Sequence, residues 1–300
     1  MTTLAVLNQK FGIHNQLEFT ENNEGFVIIS ITNAYATAQV SSYAGQVLSF
    51  KPNNQAEDLL FLSDQIVYQH GKALRGGIPI CWPWFGDDTS GFDRPAHGFV
   101  RNQQWTVLAS EQCVDGRTAI TLGLRYSDES LAVWPYKFDL QLHVIVGESL
   151  EISLTTHNLD NKDITITQAL HTYFTISDVD HTAIQGLDEY AYLDKLDNFN
   201  SKVQSGDIVV DKEVDRVYQY SPEQVLLIDK GLNRTIKISS SGSAATIVWN
   251  PWSTSVTKIS DLAPLSYKQF VCVETANAAR DVCTVAEGKS HTITAKYEVI

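Results

Sequence analysis

Five side chains in this 300-residue sequence have the types and settings that acid–base or anion-binding chemistry needs: His171, Glu274, His97, Arg75 and Arg101. His171 sits in QALHTYF. Read as a strand, that run places Thr165, Thr167, Ala169 and Tyr173 on the same face as His171, with Ile164, Ile166 and Leu170 on the other. An imidazole beside a tyrosine on such a polar face can act as a proton donor. The alternative is a hydrogen-bonded structural histidine. Glu274 lies in QFVCVETAN and shares a strand face with Phe270 and Cys272, while Val271 and Val273 line the other face. Both faces read as buried, and a carboxylate there is costly unless it is paired or used. Burial raises its pKa and makes it a better general base. The alternative is a buried partner for an arginine.

Arg75 opens the run RGGIPICWPWFG, residues 75–86. Pro79 and Pro83 remove backbone donors, and Gly76–Gly77 is flexible, so the run suits neither a helix nor a central strand. It reads as an ordered, irregular, largely apolar loop with one charge at its mouth. Trp82 and Trp84 could line or support a pocket there, with core packing as the default. His97 and Arg101 follow in PAHGFVRN, where Gly98 permits a tight backbone. Two arginines on glycine-containing loops suit an anion, because a guanidinium fork matches phosphate oxygens two at a time. The competing reading is a pair of ordinary salt bridges. The other histidines show no partner pattern and read as surface residues.

Composition narrows the field. With 22 basic and 35 acidic residues the formal charge is −13, which argues against nucleic acid as a partner. An anionic ligand would need a local pocket of arginines. The first residues lack the features of a secretory signal, and no apolar run approaches the roughly 20 residues of a membrane helix. Cys81, Cys113, Cys272 and Cys283 are too sparse for a disulfide scaffold and read as free thiols of a cytoplasmic protein. HxH, HExxH, CxxC, Walker A, GxGxxG and GxSxG patterns are all absent, so neither a metal nor a nucleotide cofactor is expected.

The elements that must position these groups are strands. YKFDLQLHVIV, SLEISL and DITITQALHTYF alternate apolar and polar residues, and further strands are expected at FVIISI, TAITLGLRY, QVLLID, TIKIS, ATIVWN, QFVCVE and HTITAKYEV. Short helical candidates are DLLFLSD and the stretch near Pro222. Many short strands joined by Gly, Asn and Asp turns predict an all-β, large antiparallel sandwich, taken as one domain over residues 1–300. The long polar segment DEYAYLDKLDNFNSKVQSGDIVVDKEVDRVY should run over the surface or line a site.

RGGIP…WPWFG, PAHGFVRNQQW, LHTYF, DRVY, VWNPW and FVCVETAN, in that order, resemble the hexose-6-phosphate mutarotases, also called glucose-6-phosphate 1-epimerases. These are the phosphosugar branch of the aldose 1-epimerase (galactose mutarotase-like) superfamily. The resemblance runs from about Gln39 to the C-terminus. It implies a β-supersandwich with the site on its concave face, His171 as general acid and Glu274 as general base. It implies that Arg75 and Arg101 hold the phosphate, that His97 lies in the site and that Asp215 binds sugar hydroxyls, with Trp249 and Asn250 lining the pocket. It also implies a monomer acting on a small phosphosugar. HTYFT stands here where free-sugar mutarotases tend to read HxYFN, and those enzymes lack the RGGIP arginine; both differences favour the phosphosugar branch. Rival readings are a mutarotase of unphosphorylated aldoses, a non-catalytic carbohydrate-binding protein, and a glycoside hydrolase or lyase, which would need a second carboxylate at glycosidase spacing.

Overall fold

The computed structural model describes residues 3–88 and 91–300. Among these, strands form sheets of nine, eight, four and two members, and every strand pairing in them is antiparallel.

Alternation builds the nine-stranded sheet. In Phe138–Val146 and Leu150–Asn158 every second residue is buried and the intervening ones are partly exposed. Register then lines up the buried positions across strands: Leu122, Leu142, Leu154 and Ile293 form one row of four side chains, all fully buried. Burial of each such side chain is worth about 1.5–3 kcal/mol.

The eight-stranded sheet packs on that row's side. Its order in space is Asn200–Val203, Ala191–Asp194, Val214–Gln219, Ala245–Asn250, Phe270–Asn277, Gln168–Leu170 and Ile80–Cys81, with Tyr173–Thr175 also pairing on Phe270–Asn277. One face contributes Val214, Val248, Val271, Val273 and Phe174 to the main core. The Thr172 hydroxyl meets the Tyr297 hydroxyl at 2.5 Å between the two sheets. The opposite face is left for the site. The four-stranded sheet, from Leu17–Glu21 to Gln46–Pro52, joins the same core through Phe19, Ile29, Val40 and Phe50.

Each strand named above from the sequence is present, with one change. DITITQALHTYF is three strands, Ile164–Ile166, Gln168–Leu170 and Tyr173–Thr175, spread over two sheets. His171 therefore lies in a break and not inside a strand. Neither helical candidate is a helix. DLLFLSD is extended and bridges to Phe174 and Gly76 through Leu60 and Leu62, and its apolar side chains are claimed by the core. The stretch near Pro222 is the short crossover from the eight-stranded to the nine-stranded sheet. Helices occur instead at Leu4–Phe11, capped by the Thr3 side chain, at Asp128–Val133, where Ser127 and Ser130 cap each other, and at Trp252–Ser255. None is long and apolar enough to cross a membrane.

Candidate active site

Cross-strand register assembles the floor of a cavity of about 590 Å³ on the free face of the eight-stranded sheet. One row runs Asp215, Trp249, Cys272, Tyr173. The next runs Leu193, Val217, Ile247, Glu274. Residues from 173 to 274 thus meet in two adjacent lines, because side chains two apart on a strand share a face. All eight strand residues from Phe270 to Asn277 are buried, as the two-sided apolar pattern around Glu274 requires.

The wall is built from the two loops with glycines. Gly77 has φ +61°, and a Cβ there would collide with the carbonyl oxygen of Val47. Gly98 has φ +74°, and a Cβ there would collide with the carbonyl oxygen of Trp82. These contacts seat the 75–86 loop against Val47 of the four-stranded sheet and the 97–101 loop against the 75–86 loop. The Phe99 N–H donates to Trp82 O at 3.2 Å, and the His97 N–H donates to Gly86 O at 2.7 Å.

Arg75, His97, Arg101, His171, Asp215, Trp249 and Glu274 all line the cavity. His171 Nδ1 lies 3.4 Å from Glu274 Oε1, and neither His171 Nδ1 nor Glu274 Oε2 has a hydrogen-bond partner. Glu274 is 2% exposed and His171 8%. Burial, reinforced by the charge of Asp215, holds the Glu274 carboxyl well above its ordinary pKa. Burial, followed by His97, Arg101 and Arg75, holds His171 well below its own. Both shifts favour the uncharged forms of the two groups.

His97 has the same character. Burial first, then Arg101, Lys195 and Arg75, lower its pKa to about 3. Its Nδ1 accepts the Gly86 N–H at 3.3 Å, which puts the ring proton of the neutral imidazole on Nε2. Arg101 donates from Nη2 to Ala96 O at 2.9 Å, while its buried Nε has no partner. Arg75 donates from Nε to Asp261 Oδ1 and from Nη1 to the Tyr173 hydroxyl, each at 3.0 Å. Asp215 faces Lys195 at 3.4 Å; burial raises its pKa, and the lysine partly opposes that rise.

Three residues named from the sequence stand outside the cavity lining, two of them, Trp82 and Trp84, in the packing role given as their default. Asn250 does not line the cavity. It is fully buried, donates to the carbonyls of Tyr267 and Phe270 at 2.8 Å each, and accepts the Trp252 N–H, so its amide fastens the bend after its strand. Trp82 is fully buried against Trp134 and Phe138 and donates to Thr156. Trp84 packs on Phe99 and under the Arg94 guanidinium. The indoles support the loop from behind. Lys195, Phe85, Phe199, Leu193, Val217 and Ile247 line the cavity without having been singled out. Strand alternation could have signalled Val217 and Ile247, which share faces with Asp215 and Trp249. Nothing local marks Lys195 or Asp261.

The model of the family described as aldose 1-epimerase matches residues 27–298. A protein of Cenchrus ciliaris, provisionally named glucose-6-phosphate 1-epimerase, is 37% identical over 82% of this chain and 76% of its own. An Escherichia coli K12 protein with the same provisional name is 33% identical over 88% of this chain and 87% of its own. The crystal structure of a Salmonella typhimurium protein, provisionally named a mutarotase, superposes with a TM-score of 0.89 at 30% identity, covering 96% of this chain and 95% of that one. With a family match across nearly its whole length, the chain belongs to the aldose 1-epimerase family.

Proposed function

We propose that the protein interconverts the α and β anomers of a hexose 6-phosphate, glucose 6-phosphate first among them, by acid–base opening and closure of the sugar ring. The observation that carries this reading is the His171–Glu274 pair, 3.4 Å apart on the floor of a cavity whose wall presents Arg75 and Arg101. The names of the Cenchrus and Escherichia relatives point to the same substrate.

The chemistry needs one base and one acid. Glu274, as carboxylate, takes the proton from the C1 hydroxyl. The C1–O5 bond breaks, its electron pair goes to O5, and His171, as imidazolium, protonates O5. The aldehyde turns about C1–C2, and the ring closes on the other face with the two roles reversed. One proton enters Glu274 as one leaves His171, so the cycle conserves the single proton that the pair holds. Its transfer between the two side chains across 3.4 Å prepares the acid and the base. Each positioned acid or base contributes roughly 10²–10⁴-fold. Ring opening and closure by this route consumes no cofactor.

The remaining groups orient the substrate. Arg75 and Arg101 would take the phosphate, remote from C1, and convert its binding energy into alignment. The Nε2–H of His97 is a neutral donor, and Asp215 with Lys195 can pair with ring hydroxyls. The test is α/β exchange followed by NMR on purified protein with glucose 6-phosphate, glucose and galactose. Acceleration above the spontaneous rate with the phosphosugar is expected. Acceleration of free sugars alone would remove the phosphate from the reading, and none with any sugar would overturn it.

A further inference from the structure

His171 carries the acid role in the proposed reaction, yet little in the backbone fixes its ring. It lies in the break between Gln168–Leu170 and Tyr173–Thr175, held there by its N–H on Pro79 O at 3.0 Å. Its Nδ1 has no hydrogen-bond partner to set the imidazole plane. Three rings surround it. Trp249 meets it edge-on at 85° and His97 at 64°, but Tyr173 lies flat on it, with centroids 5.0 Å apart and planes 10° apart.

Tyr173 is in turn over-determined. Its N–H donates to Gly77 O at 2.9 Å and its carbonyl accepts the Phe61 N–H at 3.0 Å. Its ring packs on Phe270 at 5.2 Å. Its hydroxyl accepts from Arg75 Nη1, and Arg75 is pinned through Nε by Asp261. The Asp261 carbonyl accepts from the Ser63 hydroxyl at 2.6 Å, and the Ser63 N–H donates to Arg75 O at 3.2 Å, which closes the frame. Residues 63, 75, 173 and 261 meet only through the fold.

We infer that Tyr173 is a positioning residue with two ends: its ring sets the plane of the His171 imidazole, and its hydroxyl sets Arg75 for the substrate's anionic group. The inference rests on the proposed function. It divides the consequences of changing one side chain. Loss of the hydroxyl acts at the anion end, and loss of the ring acts at the proton-transfer end.

Tyr173→Phe and Tyr173→Leu separate the two. With glucose 6-phosphate, the Phe variant should raise KM about 3- to 10-fold and change kcat by less than about twofold, since the stacked ring stays. The Leu variant should lower kcat at least 10-fold and shift the acid limb of its pH profile, with a thermal melt confirming that it is folded. A Phe variant that loses kcat as deeply as His171→Ala would overturn the inference, because the hydroxyl would then act in the chemistry. So would a Leu variant with wild-type kcat and pH profile. A readout independent of turnover is the NMR titration of histidine ¹⁵N resonances. The His171 signal should titrate closer to its ordinary range in the Leu variant than in the wild type and the Phe variant, and three coincident curves would refute the positioning role. If the wild type accelerates no sugar, the functional reading fails, while this titration still decides on Tyr173.

Discussion

Glu274→Gln should make the protein less active and more stable, and both effects follow from one buried carboxyl. Glu274 is 2% exposed and its Oε2 has no partner. Its folded pKa is raised, so the sign is set: the stability linked to this group is fully present below the unfolded value of 4.5 and is lost as pH rises toward the folded value. The penalty has a ceiling, because the folded protein can keep the proton instead of bearing the charge. At pH 7 the ceiling is the cost of holding a proton 2.5 pH units above 4.5, or about 3.4 kcal/mol. Glutamine has nearly the same shape and never ionises. The variant should therefore match the wild type near pH 4.5 and exceed it increasingly as pH rises. At roughly 2 °C per kcal/mol for a chain of this length, the gain at pH 7 is up to about 7 °C in Tm. Meanwhile kcat for anomer exchange should fall about 10²–10⁴-fold as the base is lost. Calorimetry across pH 4.5–8 and NMR exchange read the two effects on the same samples. A variant whose Tm advantage does not grow with pH would refute the buried-carboxyl argument, and near-native kcat would remove Glu274 from the chemistry.

Arg75→Ala removes charge-assisted contacts worth roughly 1.5–3 kcal/mol, so KM for glucose 6-phosphate should rise about 10- to 150-fold, with a far smaller change for glucose; equal changes for both would sink the phosphate assignment. His97 has its pKa lowered from 6.5 to about 3, so the stability it contributes is present above pH 6.5 and lost as pH falls toward 3. His97→Gln should flatten that acid limb, with a difference of up to about 4–5 kcal/mol between the two ends in denaturant titrations; parallel curves would count against a buried neutral His97. Gly98→Ala forces a Cβ against the carbonyl oxygen of Trp82 at φ +74°. It should cost about 1–3 kcal/mol and at least 10-fold in kcat/KM, since His97 and Arg101 ride on the same loop, and unchanged melting would disprove the close packing.

The strands were legible because alternation is a local signal with period 2, and burial on one face follows directly from it. Leu140, Leu142 and Val144 point inward for that reason. The unusual setting of Glu274 was legible for a related reason: apolar residues flank it on both faces, and all of them are buried. The resemblance then supplied roles for the lining residues. It failed at Asn250, because an amide next to a pocket residue looks the same in sequence whether it faces a ligand or ties down two carbonyls. It could not separate Trp82 and Trp84 from pocket aromatics, because an indole serves either purpose. The apparent strand DITITQALHTYF misled in one respect: its alternation persists through breaks that only hydrogen bonding to neighbouring strands reveals.

From residue order and pattern came the β class, the family, and a histidine, a buried glutamate and loop arginines as the candidates for its chemistry. Tertiary structure alone decided how they meet. Arg75 and Asp261 are 186 positions apart, and Arg75 and Tyr173 are 98 apart, yet each pair is within 3.0 Å. His171 reaches Glu274 because the break holding one lies beside the strand holding the other. The physical reason is that a strand's pattern specifies which way a side chain faces, whereas register between strands specifies what it faces, and register is set by packing of the whole sandwich.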